Sequence, residues 1–455
     1  MVRFGSKVRI YLNELEVDRC VLVISERKKN IGALYDCSPS AVVVFFRKEG
    51  LGFMCVCIYL MFEYVRPQSI YTWLDIFPWA ALFSFLSLAF ALFEKGRIAG
   101  NGVTKLIFLY GFVVILSSVF AVWPQVAFGN LNHYWQWVVI FYFITVLVNT
   151  KERFFVFMLM YLLFNFKMSQ HAFLTWATRG FSFAGWGVAG SPGWFTNSGE
   201  LGIQMTIFLP LALMFILALR VRWGGIKRTF FYMMVISSLG TIIASSSRGA
   251  ILGVLASAFW QLKKTKYFVR TLLLLFLVGS VGYVITPPEF KERIESSGTD
   301  NTSMHRLDRW EKGLDAVLDY PFLGVGHKNW DQYFRRYSDH GIKGSAKIHN
   351  IFMESLTEHG FLGLSVFLLL IFNMFLLNMK TRSLLKGDKA RFSVYMANGL
   401  DLGLIGMLIS GSFVTVLYYP YVWIHAAFVV ALYNSTYKEK EALEQESIGH
   451  GISFK

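Results

Sequence analysis

An arginine at the junction of two apolar runs is the first residue that could do chemistry. Arg248 stands in the stretch SSSRGA at 245–250, where one run ends and the next begins. A guanidinium beside the free N–H groups of a helix N-terminus forms an anion site that suits a phosphate. An interfacial arginine whose charge reaches the lipid headgroups would give the same pattern. Both interpretations stay open at this point.

A histidine ahead of a long apolar run suits the role of a general base. His349 precedes Asn350 in HNIFMESLTEHG, and the positive end of a helix beginning there favours a neutral imidazole. The alternative is a capping or interfacial histidine. Glu358 lies within the same run and Glu200 lies at the edge of another, in NSGELG. Each should face protein or a cavity rather than lipid, so both are accessory candidates.

Three other arginines are candidate site residues because of their positions in the sequence. Arg306 and Arg309 lie in MHRLDRWEKGLDAV, whose spacing predicts an amphipathic helix. An arginine near a helix N-terminus is unfavourable unless an anion is bound there. The alternative is a solvated helix face with acidic neighbours as partners. Arg179, in a stretch rich in glycine and aromatic residues at 174–199, is a further accessory candidate.

Several common catalytic motifs are absent from the sequence. It has no Gly-rich loop ending in Lys and Ser or Thr, so ATP hydrolysis is not indicated. It has no Gly-x-Ser-x-Gly elbow. We see no Asp-x-Asp pair or His/Cys cluster facing outward, so we expect no metal and no cofactor. Anion binding would then depend on arginines and helix dipoles.

The elements that must position these residues are helices long enough to cross a membrane. The 455 residues are 55% hydrophobic and 16% charged, with a mean hydropathy of +0.47. A soluble domain typically has about 25% charged residues, so the composition excludes an ordinary soluble protein. We predict an all-α polytopic fold of about twelve transmembrane helices. The predicted spans are 51–65, 73–93, 104–122, 134–149, 154–173, 200–219, 229–246, 249–262, 267–286, 350–379, 392–416 and 418–434.

The net charge of +15 indicates topology rather than nucleic-acid binding. With the N-terminus in the cytoplasm, the cytoplasmic segments hold 30 of the 44 Lys and Arg residues, as the positive-inside rule requires. An even number of spans places both termini in the cytoplasm. The predicted parts are a cytoplasmic tail, nine spans, a large periplasmic loop, three spans and a second tail, at 1–50, 51–286, 287–349, 350–435 and 436–455.

The large periplasmic loop should contain two amphipathic helices. Ser303 can cap a helix that runs to about Leu318. Its apolar stripe consists of Leu307, Trp310, Leu314, Val317 and Leu318. A second amphipathic piece carries Trp330, Tyr333, Phe334 and Tyr337. The two pieces predict a small helical cap over the membrane bundle.

In combination, these motifs resemble the O-antigen ligase family and its relatives, the membrane O-antigen polymerases and bacterial O-oligosaccharyltransferases. The resemblance rests on three stretches: SSSRGAILG at 245–253, the Arg306 helix ending in DYPFLGVGHKNW at 319–330, and HNIFMESLTEHGFLG at 349–363. The large loop between the ninth and tenth spans fits the family layout. The detailed resemblance covers roughly 195–375.

Two other stretches resemble a subgroup of O-glycosylation ligases associated with exosortase loci. They are EYVRPQSIY at 63–71 and NSGELGIQM at 197–205.

The resemblance implies a GT-C-like glycosyltransferase in the inner membrane of a bacterium. Such an enzyme transfers a glycan from undecaprenyl diphosphate to an acceptor hydroxyl at the periplasmic face, without a metal and with inversion. His349 matches the family's essential histidine and would be the base. Arg248 and Arg306 match its conserved arginines and would bind the diphosphate.

Alternatives with the same donor are a polymerase, whose acceptor is a growing glycan, and a protein O-oligosaccharyltransferase. A more distant alternative is a transporter of the same lipid-linked glycan, which broken helices and midplane charges would favour. The candidate charges cluster at one membrane face, which favours surface chemistry. The acceptor hydroxyl is on lipid A core, another glycan or a protein, and the remaining partners are membrane lipids.

Overall fold

The computed structural model describes residues 31–94, 100–182, 187–263, 268–269, 301–337 and 346–449. All regular secondary structure among these residues is helical, so the predicted all-α fold is confirmed for them. The helices are α1 Pro39–Lys48, α2 Leu51–Tyr64, α3 Pro67–Ile70, α4 Trp79–Phe93, α5 Gly102–Val119, α6 Pro124–Gly129, α7 Asn132–Leu147, α8 Lys151–Thr178, α9 Ser198–Leu219, α10 Gly225–Ala244, α11 Arg248–Leu262, α12 Asn301–Asp319, α13 Trp330–Tyr337, α14 Ile351–Leu384, α15 Arg391–Gly411 and α16 Pro420–Gly449. Short 3-10 turns occur at Thr72–Leu74, Arg220–Arg222 and Gly387–Ala390.

Within the described ranges, five helices are long and apolar enough to cross a membrane. They are α5, α9 with the 3-10 turn that follows it, α10, α14 and α15. A helix is the form in which an apolar segment satisfies its backbone polar groups without water. The length and composition of these helices make the chain a membrane protein. The total of about twelve spans stays a prediction, and the predicted span at 267–286 lies largely outside the described residues.

Helices α9, α11 and α15 pack closely because small residues line their contacts. A Cβ atom at Gly253 of α11 would lie 2.5 Å from the carbonyl oxygen of Gly406 in α15. A Cβ atom at Gly202 of α9 would lie 2.8 Å from the Cβ atom of Ala250. Membrane helices associate through such small residues, which let their backbones approach. This packing fixes the position of the first turn of α11.

Several connections meet at one end of the bundle, which we call the loop end. They comprise residues 65–78, 187–197, 245–247, 320–337, 346–350 and 412–419. Their contacts with one another and with the adjoining helix ends include a hydrogen bond from Ser191 Oγ to Tyr64 O of 2.6 Å and one from Val188 N to Ala244 O of 3.1 Å.

The opposite end of the bundle is held by ion pairs. Arg153 contacts Glu49 and Glu94, each at 2.8 Å, and Lys151 contacts Glu439 at 2.7 Å. The candidate residues Arg248 and His349 lie at the other end of the bundle, the loop end.

Helix α14 is interrupted at Gly360, where φ is 64° and ψ is −166°. The sequence predicted one continuous span at 350–379, which is wrong at this residue. A Cβ atom at Gly360 would lie 2.3 Å from the carbonyl carbon of Phe322, so both the backbone angle and the space require glycine.

The large loop fills the break in α14. The amides of Val325 and Gly326 donate to the carbonyls of Thr357 and Glu358, at 2.8 and 3.2 Å. On the far side of the break, the amide of Phe361 donates to the carbonyl of Pro321 at 2.8 Å. Residues 320–326 are therefore an integral part of the bundle.

The loop helices α12 and α13 exist as predicted, but only Trp310 and Val317 of the predicted α12 stripe face the protein. Leu307, Leu314 and Leu318 of the predicted stripe are exposed, whereas Ala316 and Val317 are buried. The reason is that α12 docks through small residues, which allow close contact with α14. In α13, Trp330, Tyr333 and Phe334 are buried as predicted, and Tyr337 is 53% exposed.

Candidate active site

His349 lies at the loop end, directly before α14, with a left-handed backbone (φ 54°). Such a conformation costs about 1–3 kcal/mol in a residue other than glycine. Two contacts offset the cost. The amide of His349 donates to Thr415 Oγ1 at 2.8 Å, and the Asn350 side chain caps α14 by accepting from the amides of Phe352 and Met353. Asn350 therefore fills the capping role, and the His349 ring is not needed for it.

Three cationic side chains lie within electrostatic range of the His349 ring. Its pKa is lowered from 6.5 to about 4, chiefly by burial and then by the charges of Arg306, Arg309 and Lys347. The structure thus brings both α12 arginines within electrostatic range of His349. An imidazole within electrostatic range of two guanidinium groups suits a base that acts close to an anion.

Arg248 is the first residue of α11, at the same end of the bundle. Ser247 caps the helix by accepting from the amide of Ala250 at 3.3 Å. The next residue, Gly249, accepts a hydrogen bond of 3.0 Å from Ser410 Oγ and packs against Phe413. Phe413 and Thr415 belong to the connection 412–419 between α15 and α16. The start of α11 and His349 therefore contact the same connection.

Glu200 and Arg179 occupy different environments from these residues. Glu200 is 3% exposed and forms a capping box with Asn197 at the start of α9. Its other oxygen accepts from the Tyr419 hydroxyl at 2.8 Å. These contacts give Glu200 a structural role at the loop end. Arg179 follows the last residue of α8 and is exposed.

Glu358 lies in a buried polar cluster that we call the buried node, made of Ser117, His327, Glu358, His359 and Tyr418. The Tyr418 hydroxyl donates to Glu358 Oε2. It lies 2.8 Å from His359 Nε2 and 3.2 Å from His327 Nδ1. Ser117 Oγ lies 2.7 Å from His359 Nδ1. The Tyr418 hydroxyl links the large loop, α14 and the connection 412–419, and Ser117 joins α5 to them through His359.

The ligand atoms of His327, Glu358 and His359 all lie within 4.8 Å of one another, so this group could hold a metal ion. However, the Tyr418 hydroxyl already contacts all three side chains. The Lys328 ammonium lies 4.0 Å from the centre of the Tyr418 ring, which places a fixed positive charge beside the group. We interpret the group as a hydrogen-bonded node, and the absence of a metal site stays a prediction.

Comparison with known proteins assigns the central part of the chain. Residues 232–368 match the O-antigen ligase family. This region belongs to the O-antigen ligase family. It runs from α10 into α14, and it contains Arg248, Arg306 and His349 as well as three residues of the buried node. The resemblance read from the motifs is therefore confirmed, while the exosortase-associated subgroup stays a prediction.

One curated relative, from Haemophilus influenzae, is described as an uncharacterized protein. It is 27% identical over 186 residues, a match that covers 35% of this chain and 46% of the relative. The match therefore covers less than half of that relative's length.

Within the ligase-family region, sequence reasoning named Glu358 but missed its histidine partners. His327 and His359 both lie in stretches that carried the family resemblance, DYPFLGVGHKNW and HNIFMESLTEHGFLG. Their separation of about thirty residues follows no metal-ligand spacing. Tyr418 lies about sixty residues further on, beyond the matched region, and no local pattern connects it to either histidine.

Proposed function

We propose that this chain transfers a glycan from undecaprenyl diphosphate to an acceptor hydroxyl, as an O-antigen ligase-type enzyme. The proposal rests on the position of His349, held before α14 by Thr415 and within electrostatic range of Arg306 and Arg309. A base and an anion site side by side are what this reaction needs. The family assignment of residues 232–368 supports the same reaction class.

In the proposed reaction, the acceptor oxygen attacks the anomeric carbon and its proton passes to the His349 imidazole. The bond between that carbon and the diphosphate oxygen breaks, and the diphosphate leaves with the electron pair. Arg248 and Arg306 stabilise the charge that develops on it. Attack opposite to the leaving group inverts the anomeric configuration. Arg309 adds positive charge beside Arg306, and Glu358 holds the large loop in place.

The proposed location is a bacterial inner membrane, with the loop end in the periplasm and both termini in the cytoplasm. The basic residues at the opposite end of the bundle support this orientation because cytoplasmic segments are enriched in Lys and Arg. They include Lys151, Arg153, Arg222, Lys227 and Arg391.

A transporter of lipid-linked glycans is the second candidate, since the break in α14 is a feature of transport proteins. In transporters, the free ends of broken helices face the substrate. Here the carbonyls of Thr357 and Glu358 accept from the protein's own loop. The break therefore favours a fixed structural role, and we place transfer ahead of transport. Among transferases, the acceptor distinguishes ligase, polymerase and protein O-oligosaccharyltransferase.

The deciding experiment is transfer of a labelled glycan by the purified full chain and by His349→Ala. Loss of a general base should lower the rate about 10²- to 10⁴-fold. Donor binding should be retained because the arginines remain. His171→Ala, at an exposed position of α8, is the matched control. Full activity of His349→Ala would refute the role of His349. Movement of the lipid-linked glycan across a vesicle membrane, without transfer to an acceptor, would favour the transporter.

A further inference from the structure

A cavity with both apolar and polar lining lies at the loop end between α2, α4 and α7. Its volume is about 560 Å³, which is within the range of small-molecule sites. Half of the lining residues are small or apolar, and the other half are aromatic or able to form several hydrogen bonds. The small and apolar ones include Phe85, Leu88, Val139 and Ile140, the other rings are those of Tyr59, Trp79, Trp137 and Trp194, and the polar groups are Glu63, Arg66, Gln68 and Gln136.

Three lining side chains have buried polar atoms with no partner within the described part of the chain. They are the Tyr59 hydroxyl, Arg66 Nε and Gln68 Oε1. Tyr59 is only 2% exposed. A buried polar atom without a partner costs about 1–3 kcal/mol. The three atoms belong to side chains that line one cavity, which favours a ligand there that provides the missing hydrogen bonds.

The tryptophan rings around the cavity are fixed by their N–H groups. Trp79 Nε1 donates to Leu74 O at 2.6 Å, and Trp137 Nε1 donates to Tyr418 O at 2.8 Å. The Trp194 indole is hydrogen-bonded to Glu63. The rings therefore offer their apolar faces to a ligand and keep their N–H groups engaged with the protein.

Arg66 is held in place by an unusual backbone. Its φ is 52°, and its guanidinium lies against Gly193, where an added Cβ atom would be 2.3 Å from Arg66 Cζ. Gly193 itself has a φ of 91°, so both its backbone angle and the close contact with Arg66 require glycine there. Strained residues that the surrounding structure holds in place cluster at binding sites.

We propose that this cavity binds one sugar unit of the glycan, an inference that rests on the transferase function proposed above. A sugar hydroxyl both donates and accepts, so it can pair with the Arg66 donor, the Gln68 acceptor and the Tyr59 hydroxyl. The C–H face of the sugar ring packs on an indole face. A lipid chain would leave all three polar atoms unpaired, and a phosphate would lie beside the Glu63 carboxylate.

Trp137 connects the cavity to the proposed transfer site through the connection 412–419. This side chain lines the cavity and donates to Tyr418, in the connection 412–419 that also holds His349 through Thr415. A sugar bound in the cavity would therefore belong to a glycan whose reacting end lies near His349.

The test measures binding of two soluble oligosaccharides from the source organism to the full chain in lipid nanodiscs. One is the O-antigen repeat released from its lipid, and the other is the core oligosaccharide released from lipid A. We expect one of them to bind and Gln68→Ala to raise its Kd about tenfold, the effect of losing a buried hydrogen bond. The oligosaccharide that binds tells whether the cavity holds donor or acceptor sugar.

The controls separate the cavity from folding and from the transfer reaction. Trp79→Ala should weaken binding as Gln68→Ala does, whereas Trp73→Ala, at a ring that is 71% exposed, should not. Gln332→Ala, at an exposed position of α13, is the control for Gln68. Each variant must give the wild-type elution profile and melting temperature. His349→Ala should bind the oligosaccharide normally, even if the proposed transfer function fails.

Three outcomes would overturn the proposal. One is that neither oligosaccharide binds the wild-type chain. Another is that both cavity variants bind as tightly as the wild type, which would place the sugar elsewhere. The last is that undecaprenyl phosphate in nanodiscs, without any sugar, is the ligand whose binding the cavity variants weaken.

Discussion

Acid should inactivate His349 by protonating it. This should happen at a higher pH when the donor is bound than in the free protein. In the free protein the pKa of His349 is about 4 instead of 6.5, a difference worth at most roughly 3 kcal/mol. Burial is the largest cause, and the charges of Arg306, Arg309 and Lys347 provide the rest. A bound diphosphate offsets these charges but not the burial. The pKa should therefore rise from about 4 toward 6.5 on binding.

The sign of the effect follows from the role of the base. Below its pKa, His349 is protonated and cannot take the acceptor's proton, so the rate falls as the pH falls. The acid limb of kcat/KM reports the free protein, and the acid limb of kcat reports the complex. We expect the kcat/KM limb near pH 4 and the kcat limb above it, in an assay of labelled-glycan transfer across the acid range.

A charge substitution makes the same prediction sharper. Arg309→Gln keeps much of the side-chain volume and removes one of the charges that lower the pKa, so it should move the kcat/KM limb to higher pH. Arg336→Gln, at an exposed position of α13, should leave the limb in place. Coincident limbs of kcat and kcat/KM, or a limb that Arg309→Gln does not move, would refute the reasoning.

Four further predictions concern stability, measured as the melting temperature and unfolding free energy in detergent. Gly360→Ala should cost about 1–3 kcal/mol from backbone strain alone and more from the contact with Phe322, and a wild-type melting temperature would contradict the described break. Asn350→Ala should lower the unfolding free energy by about 1 kcal/mol because it removes a helix cap, and it should also lower the transfer rate. An unchanged unfolding free energy would mean that the Asn350 side chain does not stabilise the helix. Tyr418→Phe should cost about 1–3 kcal/mol for each buried partner left without a hydrogen bond. A chelator should not change the wild-type melting temperature, and a large decrease would show that the buried node holds a metal.

Much of the fold was predictable because apolar runs determine where membrane helices form. The run predicted at 200–219 is the helix Ser198–Leu219, and that predicted at 104–122 is Gly102–Val119. The break at Gly360 was not predictable from the run that contains it. It depends on backbone groups of residues 320–326, which lie more than thirty residues earlier in the chain.

The candidate site was predictable only where one short segment carries the whole signal. His349 and Arg248 each stand at the start of a helix, and the pattern around each is local. The buried node joins residues from four separate segments, so no spacing predicts it. The cavity was missed for a similar reason. The stretch EYVRPQSIY provides Arg66 and Gln68, but Trp79, Trp137 and Trp194, whose rings also line the cavity, come from three other segments.

The insertion of residues 320–326 into α14 also constrains the order in which the chain is assembled. A carbonyl group left without a partner inside a membrane costs several kcal/mol. Thr357 and Glu358 receive their partners from a loop that is synthesised before them and that, in the proposed topology, must already have crossed the membrane. The first turns of α14 can therefore settle only after the loop has folded on the far side. A chain whose loop fails to cross would keep these carbonyls exposed to lipid, which gives the cell a means to distinguish incomplete molecules from finished ones.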